Sequence, residues 1–371
     1  VRILHTLSAN EWGGAEIRTL TEVAGLRARG HEVRIACPSG SPMAARATSL
    51  QIPVIELPAS ARGGAGRLTR HVGALLAMRR LIATGGFDVI ATSGPVDSWL
   101  AALACATLAG APPIVRMHHL SAPRPRGPAN RWLYMRGVSR VVTAGEAMRQ
   151  WLVRDHGFDG RRIVSVPTGI DLGHFRPGDA AEARRALELP DDGQPMLGIV
   201  ASLRRSKGHH LLLEAIAGLG TPVRLLVIGD GPQRAVLAKQ ADSLLPSDCV
   251  HFAGRQAEVL TWLRALDAFV LPTLHEAVPQ SLSQAMAVGL CCVTTSVGGI
   301  PEIAADDSVM FVPPGDVGAL REAIERVIGD PGLRVRLGAR ARAVALERCS
   351  IEAMLDRIEQ LYAEVASRSA P

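Results

Sequence analysis

The stretch Leu271-Pro-Thr-Leu-His275-Glu276-Ala-Val-Pro279-Gln-Ser-Leu-Ser-Gln284-Ala-Met-Ala-Val-Gly289 follows directly on the apolar run Ala268-Phe-Val. Four apolar residues closed by a proline read as a buried strand, and residues 280–288, rich in helix formers, read as a helix stopped by Gly289. Pro279 suits the first turn of that helix, where no backbone N–H is needed. The first-turn N–H groups of such a helix lack intrahelical acceptors and make a place for a phosphate. Glu276 and Gln284 are eight residues apart, about 12 Å of rise if the helix runs through both. A buried strand, a polar turn and a helix form the repeating unit of a parallel α/β sheet.

The same alternation extends in both directions. Towards the N terminus, strands are expected at 3–7, 33–37, 54–56, 89–92, 114–117, 140–143 and 163–166, with helices near 15–29, 68–83, 98–108 and 146–155. After a break at Pro167-Thr-Gly-Ile-Asp171 and a charged helix, strands recur at 196–201, 223–229, 250–252, 269–271, 292–295 and 309–312. Helices near 208–217, 233–244, 258–265 and 317–328 separate them. This predicts an α/β protein of two tandem doubly wound domains: 1–166, and 167–350 joined to it near 167–195. The strand ends face a shared interdomain cleft, since open α/β sheets bind ligands at that edge. The helices at 332–346 and 352–366 are amphipathic, and the last one, within 351–368, is expected to pack back on the N-terminal domain.

Composition narrows the function. At 371 residues the chain suits two domains of ordinary size. No apolar run approaches the length needed to span a bilayer, and residues 1–7 read as a first strand rather than a leader. Six cysteines show neither metal-ligand nor disulfide spacing, which fits a reducing cytoplasm. Residues 1–165 carry 21 Arg, no Lys and 10 acidic residues, whereas 166–371 carry 20 basic and 25 acidic ones. The basic half has little aromatic interleaving and no recognition-helix or RNA-binding signature, so nucleic acid is not expected. An anionic acceptor or an anionic membrane surface suits it better, through residues 67–80 and the loop Ser121-Ala-Pro-Arg-Pro-Arg-Gly-Pro128.

Candidate chemistry sits at strand ends. Ser202-Leu-Arg204-Arg205-Ser-Lys207-Gly208 places three cations between a strand and a helix, a site for a diphosphate. Gly229-Asp-Gly231-Pro232 begins like a dinucleotide fingerprint, but Arg234 stands where the third glycine belongs, which disfavours a nicotinamide enzyme. Trp12-Gly13-Gly14-Ala15-Glu16 marks the first strand-to-helix turn, where paired glycines permit close ligand approach. Val115-Arg116-Met-His118-His119 ends another strand, and His119 is the candidate for the reacting face.

Taken together, Gly13-Gly14-Ala-Glu16, Lys207-Gly208, Gly229-Asp-Gly-Pro232, Glu276 with Ala285-Met-Ala, and Gly298-Gly299-Ile-Pro301-Glu302 resemble the retaining glycosyltransferases of family 4, with the two-Rossmann GT-B fold. The resemblance covers nearly the whole chain. It implies sugar transfer from a nucleotide-sugar donor to a saccharide or lipid-linked acceptor, as in bacterial cell-surface polysaccharide or lipopolysaccharide synthesis. No metal or other cofactor is implied, and the chain has no D-x-D. By this resemblance Glu276 and His119 are catalytic. Arg204, Lys207, Gly229, Gly231, Arg255, Pro279, Gln280, Ser281 and Gln284 hold the donor, and Gly13, Gly14 and Glu16 lie near the phosphates and acceptor. Two positions depart from the pattern. Gln284 replaces the second Glu of the E-x7-E motif, exchanging a charge-assisted bond to a ribose diol for a neutral one worth about 1 kcal/mol less. Ser202 stands where an Arg is usual, and Arg204 or Arg205 is the expected substitute. A GT-B-like nucleotide-sugar epimerase and a non-catalytic nucleotide-sugar-binding protein are the alternatives.

Overall fold

Aliphatic runs followed by amphipathic segments fold as parallel strands with crossover helices in a computed structural model, which describes residues 1–8, 12–58, 67–118 and 127–367. The first unit contains β1 (Arg2–Thr6), α1 (Gly14–Ala28), β2 (Glu32–Pro38), α2 (Pro42–Ser49), β3 (Val54–Leu57), α3 (Arg67–Gly85), β4 (Val89–Thr92), α4 (Pro95–Cys105), β5 (Ile114–His118), α5 (Pro128–Trp132), β6 (Arg140–Thr143), α6 (Glu146–Arg154) and β7 (Ile163–Ser165). The second contains α7 (Ala180–Ala186), β8 (Met196–Val200), α8 (His209–Ala217), β9 (Arg224–Ile228), α9 (Arg234–Leu244), β10 (Val250–Gly254), α10 (Leu260–Arg264), β11 (Ala268–Leu271), α11 (Gln280–Val288), β12 (Cys291–Thr295), α12 (Ile300–Ile303), β13 (Met310–Val312), α13 (Val317–Gly329) and α14 (Pro331–Arg348), and the chain ends with α15 (Ile351–Ser367). Contacts divide the chain so that α15, from Glu352 onward, belongs with residues 1–168, and residues 169–351 form the second unit.

Both sheets are parallel and doubly wound. The first has strand order β3-β2-β1-β4-β5-β6-β7 and the second β10-β9-β8-β11-β12-β13. Each order reverses direction once, between β1 and β4 and between β8 and β11. At such a switch point the flanking loops diverge and leave room for a ligand. The inner strands are apolar and buried on both faces, as in Phe269-Val270-Leu271 and Leu225-Leu226-Val227, which is what helices on both sides of a parallel sheet require.

Three short helices, α2, α5 and α12, were not expected from hydrophobic periodicity. At eight, five and four residues they are too short to show it. α2 is set instead by its ends: Pro42 opens it and the Ser41 side chain accepts the Ala44 N–H at 3.2 Å. All six cysteines are free thiols.

α15 is fastened to α1 within the first unit. Arg29 pairs with Glu352, Asp356 and Glu359, and a Cβ at Gly25 would lie 2.4 Å from Leu355 Cδ1. Beneath them the Tyr362 hydroxyl donates to Glu22 Oε1 at 2.7 Å, and His5 Nε2 lies 3.4 Å from the same oxygen. Arg18 Nη1 donates to Thr168 Oγ1 at 2.8 Å. All four of these ionisable groups are buried. Burial raises the Tyr362 hydroxyl well above its ordinary range and lowers the His5 imidazole, the latter opposed by Glu22. Tyr362→Phe leaves a buried carboxylate oxygen short of a donor and is expected to cost about 2 kcal/mol. Urea unfolding of the intact chain checks this, and an unshifted midpoint would show that the bond stabilises nothing.

Candidate active site

In the second unit, four loops at the C-terminal ends of adjacent strands lock together. The loop after β8 runs through a single 3₁₀ turn, Arg205–Lys207, and then Gly208, whose left-handed φ of +75° starts α8. A Cβ at Gly208 would lie 2.0 Å from the Pro272 carbonyl oxygen, so only glycine lets this loop meet the one after β11. The Leu274 N–H and the Thr273 hydroxyl both donate to the Ser206 carbonyl, at 2.7 and 3.0 Å. The two loops flank the β8/β11 switch point, and across it Lys207 Nζ is ion-paired with Glu276 Oε2.

The loop after β12 completes the support. Gly298 has φ +59°, and a Cβ there would overlap the Glu276 carbonyl oxygen at 1.8 Å. The Gly299 N–H donates to Ala277 O at 2.6 Å. Glu276 is thus held by its backbone, with its side chain 13% exposed and that of Lys207 21% exposed. Pro279, the cap residue of α11, has no side-chain acceptor to offer the first-turn N–H groups. An anion held beside Lys207 would be suited to that helix end.

The remaining donor-site candidates sort by what surrounds them. Gly229 and Gly231 are required by the protein's own backbone: a Cβ at either would lie 2.0 Å from Ala201 O or 2.7 Å from Leu203 O. Arg204 and Arg255 are exposed, the first in the Lys207 loop and the second just after β10. Gln280, Ser281 and Gln284 lie on α11 and are half-buried. Glu276 and Gln284 do not share one helix, so the helical rise of about 12 Å expected between them does not apply. The helix begins only at Gln280, so Glu276 sits in the preceding turn, and Pro279 is the extended cap residue rather than a first-turn one.

His209 follows Gly208 and is buried among Ile199, Leu212, Leu213, Leu225, Val227 and Phe252. Neither ring nitrogen has a hydrogen-bond partner. Burial first, then the charges of Lys207 and His210, push its pKa down to about 4.

In the first unit, Gly13 caps α1 with extended backbone, and among the described residues a Cβ there would meet Glu16 Oε2, at 3.5 Å. Trp12 carries Arg46 over its ring, 4.0 Å from Cζ to centroid. At the β1/β4 switch point, Asp97 accepts from the Thr6 and Ser8 hydroxyls and from the Ser93 and Gly94 N–H groups, at 2.8 to 3.1 Å. This carboxylate was missed in the sequence, although Gly94-Pro-Val-Asp97 has the spacing of a helix-capping turn. His118 is buried with its Nδ1 2.9 Å from the Tyr134 hydroxyl. His119, the expected reacting-face histidine, lies outside the described residues. Among the described residues no group of three or more His, Cys, Asp or Glu is arranged to hold a metal, and no helix is long and apolar enough to cross a membrane.

Two family models account for most of the chain. Residues 12–174 match "Glycosyltransferase Family 4" and residues 180–344 match "Glycosyl transferases group 1". The chain belongs to glycosyltransferase family 4. This glycosyltransferase is 27% identical, across 96% of its length and 93% of the relative's, to a D-inositol 3-phosphate glycosyltransferase of Xylanimonas cellulosilytica. It is 34% identical to LpsE, a lipopolysaccharide core biosynthesis glycosyltransferase of Rhizobium meliloti, over 63% of this chain and 66% of that one. Among solved structures, a Rickettsia africae glycosyltransferase superposes with a TM-score of 0.85 at 18% identity, covering 98% of both chains. Anabaena HepE, solved with UDP and glucose, gives 0.84 at 19% identity over 98% of this chain and 99% of its own. Both share the GT-B architecture of two Rossmann-like units.

Proposed function

We propose that this glycosyltransferase uses a nucleoside-diphosphate sugar held by its second unit. It transfers the sugar, with retention of anomeric configuration, to a saccharide or lipid-linked acceptor held by its basic first unit. The observation that carries the reading is the Lys207–Glu276 pair across the β8/β11 switch point. A cation and a hydrogen-bond acceptor side by side suit a ligand that is anionic at one end and hydroxylated at the other. Breakage of the glycosidic bond leaves negative charge on the departing diphosphate. Lys207, Arg204 and the α11 N terminus would oppose that charge without a divalent metal. Glu276 would accept hydrogen bonds from the donor sugar and fix its orientation. The names of the relatives and the UDP and glucose in HepE support this donor class, and LpsE supports assembly of a cell-surface glycan. The exposed Val72 and Leu76 on the basic helix α3 favour contact with an anionic membrane from the cytoplasmic side.

The direct test is a nucleotide-release screen of UDP-, GDP-, ADP- and dTDP-sugars with a membrane extract as acceptor, followed by product analysis. Release of nucleotide that depends on acceptor is expected, and isomerisation of donor without acceptor would overturn the reading. Lys207→Ala is expected to weaken the preferred nucleoside diphosphate about 10- to 100-fold in calorimetry, the worth of a charged hydrogen bond. Unchanged affinity in both Lys207→Ala and Arg204→Ala would remove the phosphate assignment.

A further inference from the structure

Arg116 lies on β5, level in the sheet with Thr92, the last residue of β4, and with Val141 of β6. Its side chain is buried, 3% exposed, and Nε and Nη1 have no hydrogen-bond partner. No carboxylate among the described residues pairs with it. Asp97, the buried acid at this end of the sheet, is already met by four donors, and the Thr92 hydroxyl is engaged with Ser98 Oγ at 2.8 Å. What the guanidinium does touch is the face of Tyr134, 4.8 Å from Cζ to ring centroid. Tyr134 is clamped in turn: its ring stacks on Phe158 at 4.6 Å and its hydroxyl meets His118 Nδ1. It projects from a π-helical turn, Leu133–Gly137, a distortion that recurs at functional sites.

A buried cation with unmet donors is costly, and a protein tolerates one when a ligand supplies the counter-charge. Covering the planar face of Arg116 with an aromatic ring leaves its in-plane N–H edge for a two-oxygen anion. We propose that Arg116, positioned by Tyr134, is an oxyanion receptor of the first unit that takes a phosphate or carboxylate carried by the acceptor. This rests on the reading that the first unit binds acceptor. It is separate from the diphosphate site assigned to Lys207.

Thermal unfolding of the full chain, saturated with UDP to fill the donor site, tests this with inorganic phosphate and glucuronate as probes at fixed ionic strength. At least one probe is expected to raise the melting temperature of the wild type by about 2–4 °C. A response to phosphate alone identifies a phosphorylated acceptor, and one to glucuronate alone an acid sugar. Arg116→Met should lose the response while melting at or above the wild type, since it removes an uncompensated charge. Arg116→Lys, which keeps the charge without the planar fork, should retain a reduced response. An Arg116→Met protein that melts several degrees lower or does not fold, an equal response in both proteins, or no response in the wild type would overturn the proposal. Failure of UDP itself to raise the melting temperature counts instead against the donor site, and the comparison of Arg116 variants is still read.

Discussion

Glu276→Gln is expected to reduce sugar transfer at least about 100-fold while tightening the binding of free nucleoside diphosphate about fivefold. The two effects have one cause. Lys207 and Glu276 are ion-paired, so a diphosphate bound at Lys207 is expected to compete with a carboxylate for the ammonium group. The amide keeps the size and shape of the side chain, and the backbone position is fixed independently by Gly298 and Gly299. Lys207 is then left with a neutral neighbour and a stronger field for phosphate, worth about 1 kcal/mol in a site that solvent still reaches. The amide is a poorer acceptor towards the donor sugar, and it can no longer offset positive charge developing at the anomeric carbon. Stability should change little, because the pair is partly exposed. Calorimetry with UDP and a turnover assay separate the outcomes. Full turnover would sink the catalytic role, and unchanged UDP affinity would sink the competition between carboxylate and phosphate.

Much of this arrangement is legible in the sequence because it is local. Gly289 ends α11 in the left-handed conformation that only glycine adopts cheaply, and the bounds of that helix follow. Strands such as Val89–Thr92 are marked by buried aliphatic runs between polar turns. The chemistry that was not legible depends on contacts between distant residues. Gly298-Gly299 reads as a loop, yet the reason for both glycines is the backbone at Glu276 and Ala277, some twenty residues earlier. The Glu22–Tyr362 bond joins residues 340 positions apart. Arg116 looks like one more member of a basic half until the sheet places it beneath Tyr134. Periodicity also fails where helices are too short to repeat, as in α2 and α5.

Acidification from pH 7 to pH 4 is expected to cost the second unit about 3 kcal/mol through His209 alone. The folded pKa of about 4 lies below the ordinary histidine value near 6.5. Between these values the unfolded chain binds a proton that the folded chain refuses, so stability falls as pH falls and is recovered above pH 6.5. The shift of about 2.5 units corresponds to about 3 kcal/mol, at 1.36 kcal/mol per unit. The cause is structural. His209 sits at the first turn of α8 among aliphatic side chains, with Lys207 two residues away adding positive charge. Protonation would create a second cation with no acceptor for either N–H. The loop that carries Lys207 is anchored by Gly208 next to this ring, so acid unfolding should begin at the proposed phosphate site. His209→Leu fills the same pocket without a titrating group, and the slope of unfolding free energy between pH 6.5 and pH 4 should flatten by about 3 kcal/mol relative to wild type. Urea titrations at a series of pH values measure this. Parallel pH profiles for the two proteins would show that the buried imidazole is not the source. A donor affinity that weakens with acid in wild type, but less in His209→Leu, would tie the protonation to the Lys207 loop itself.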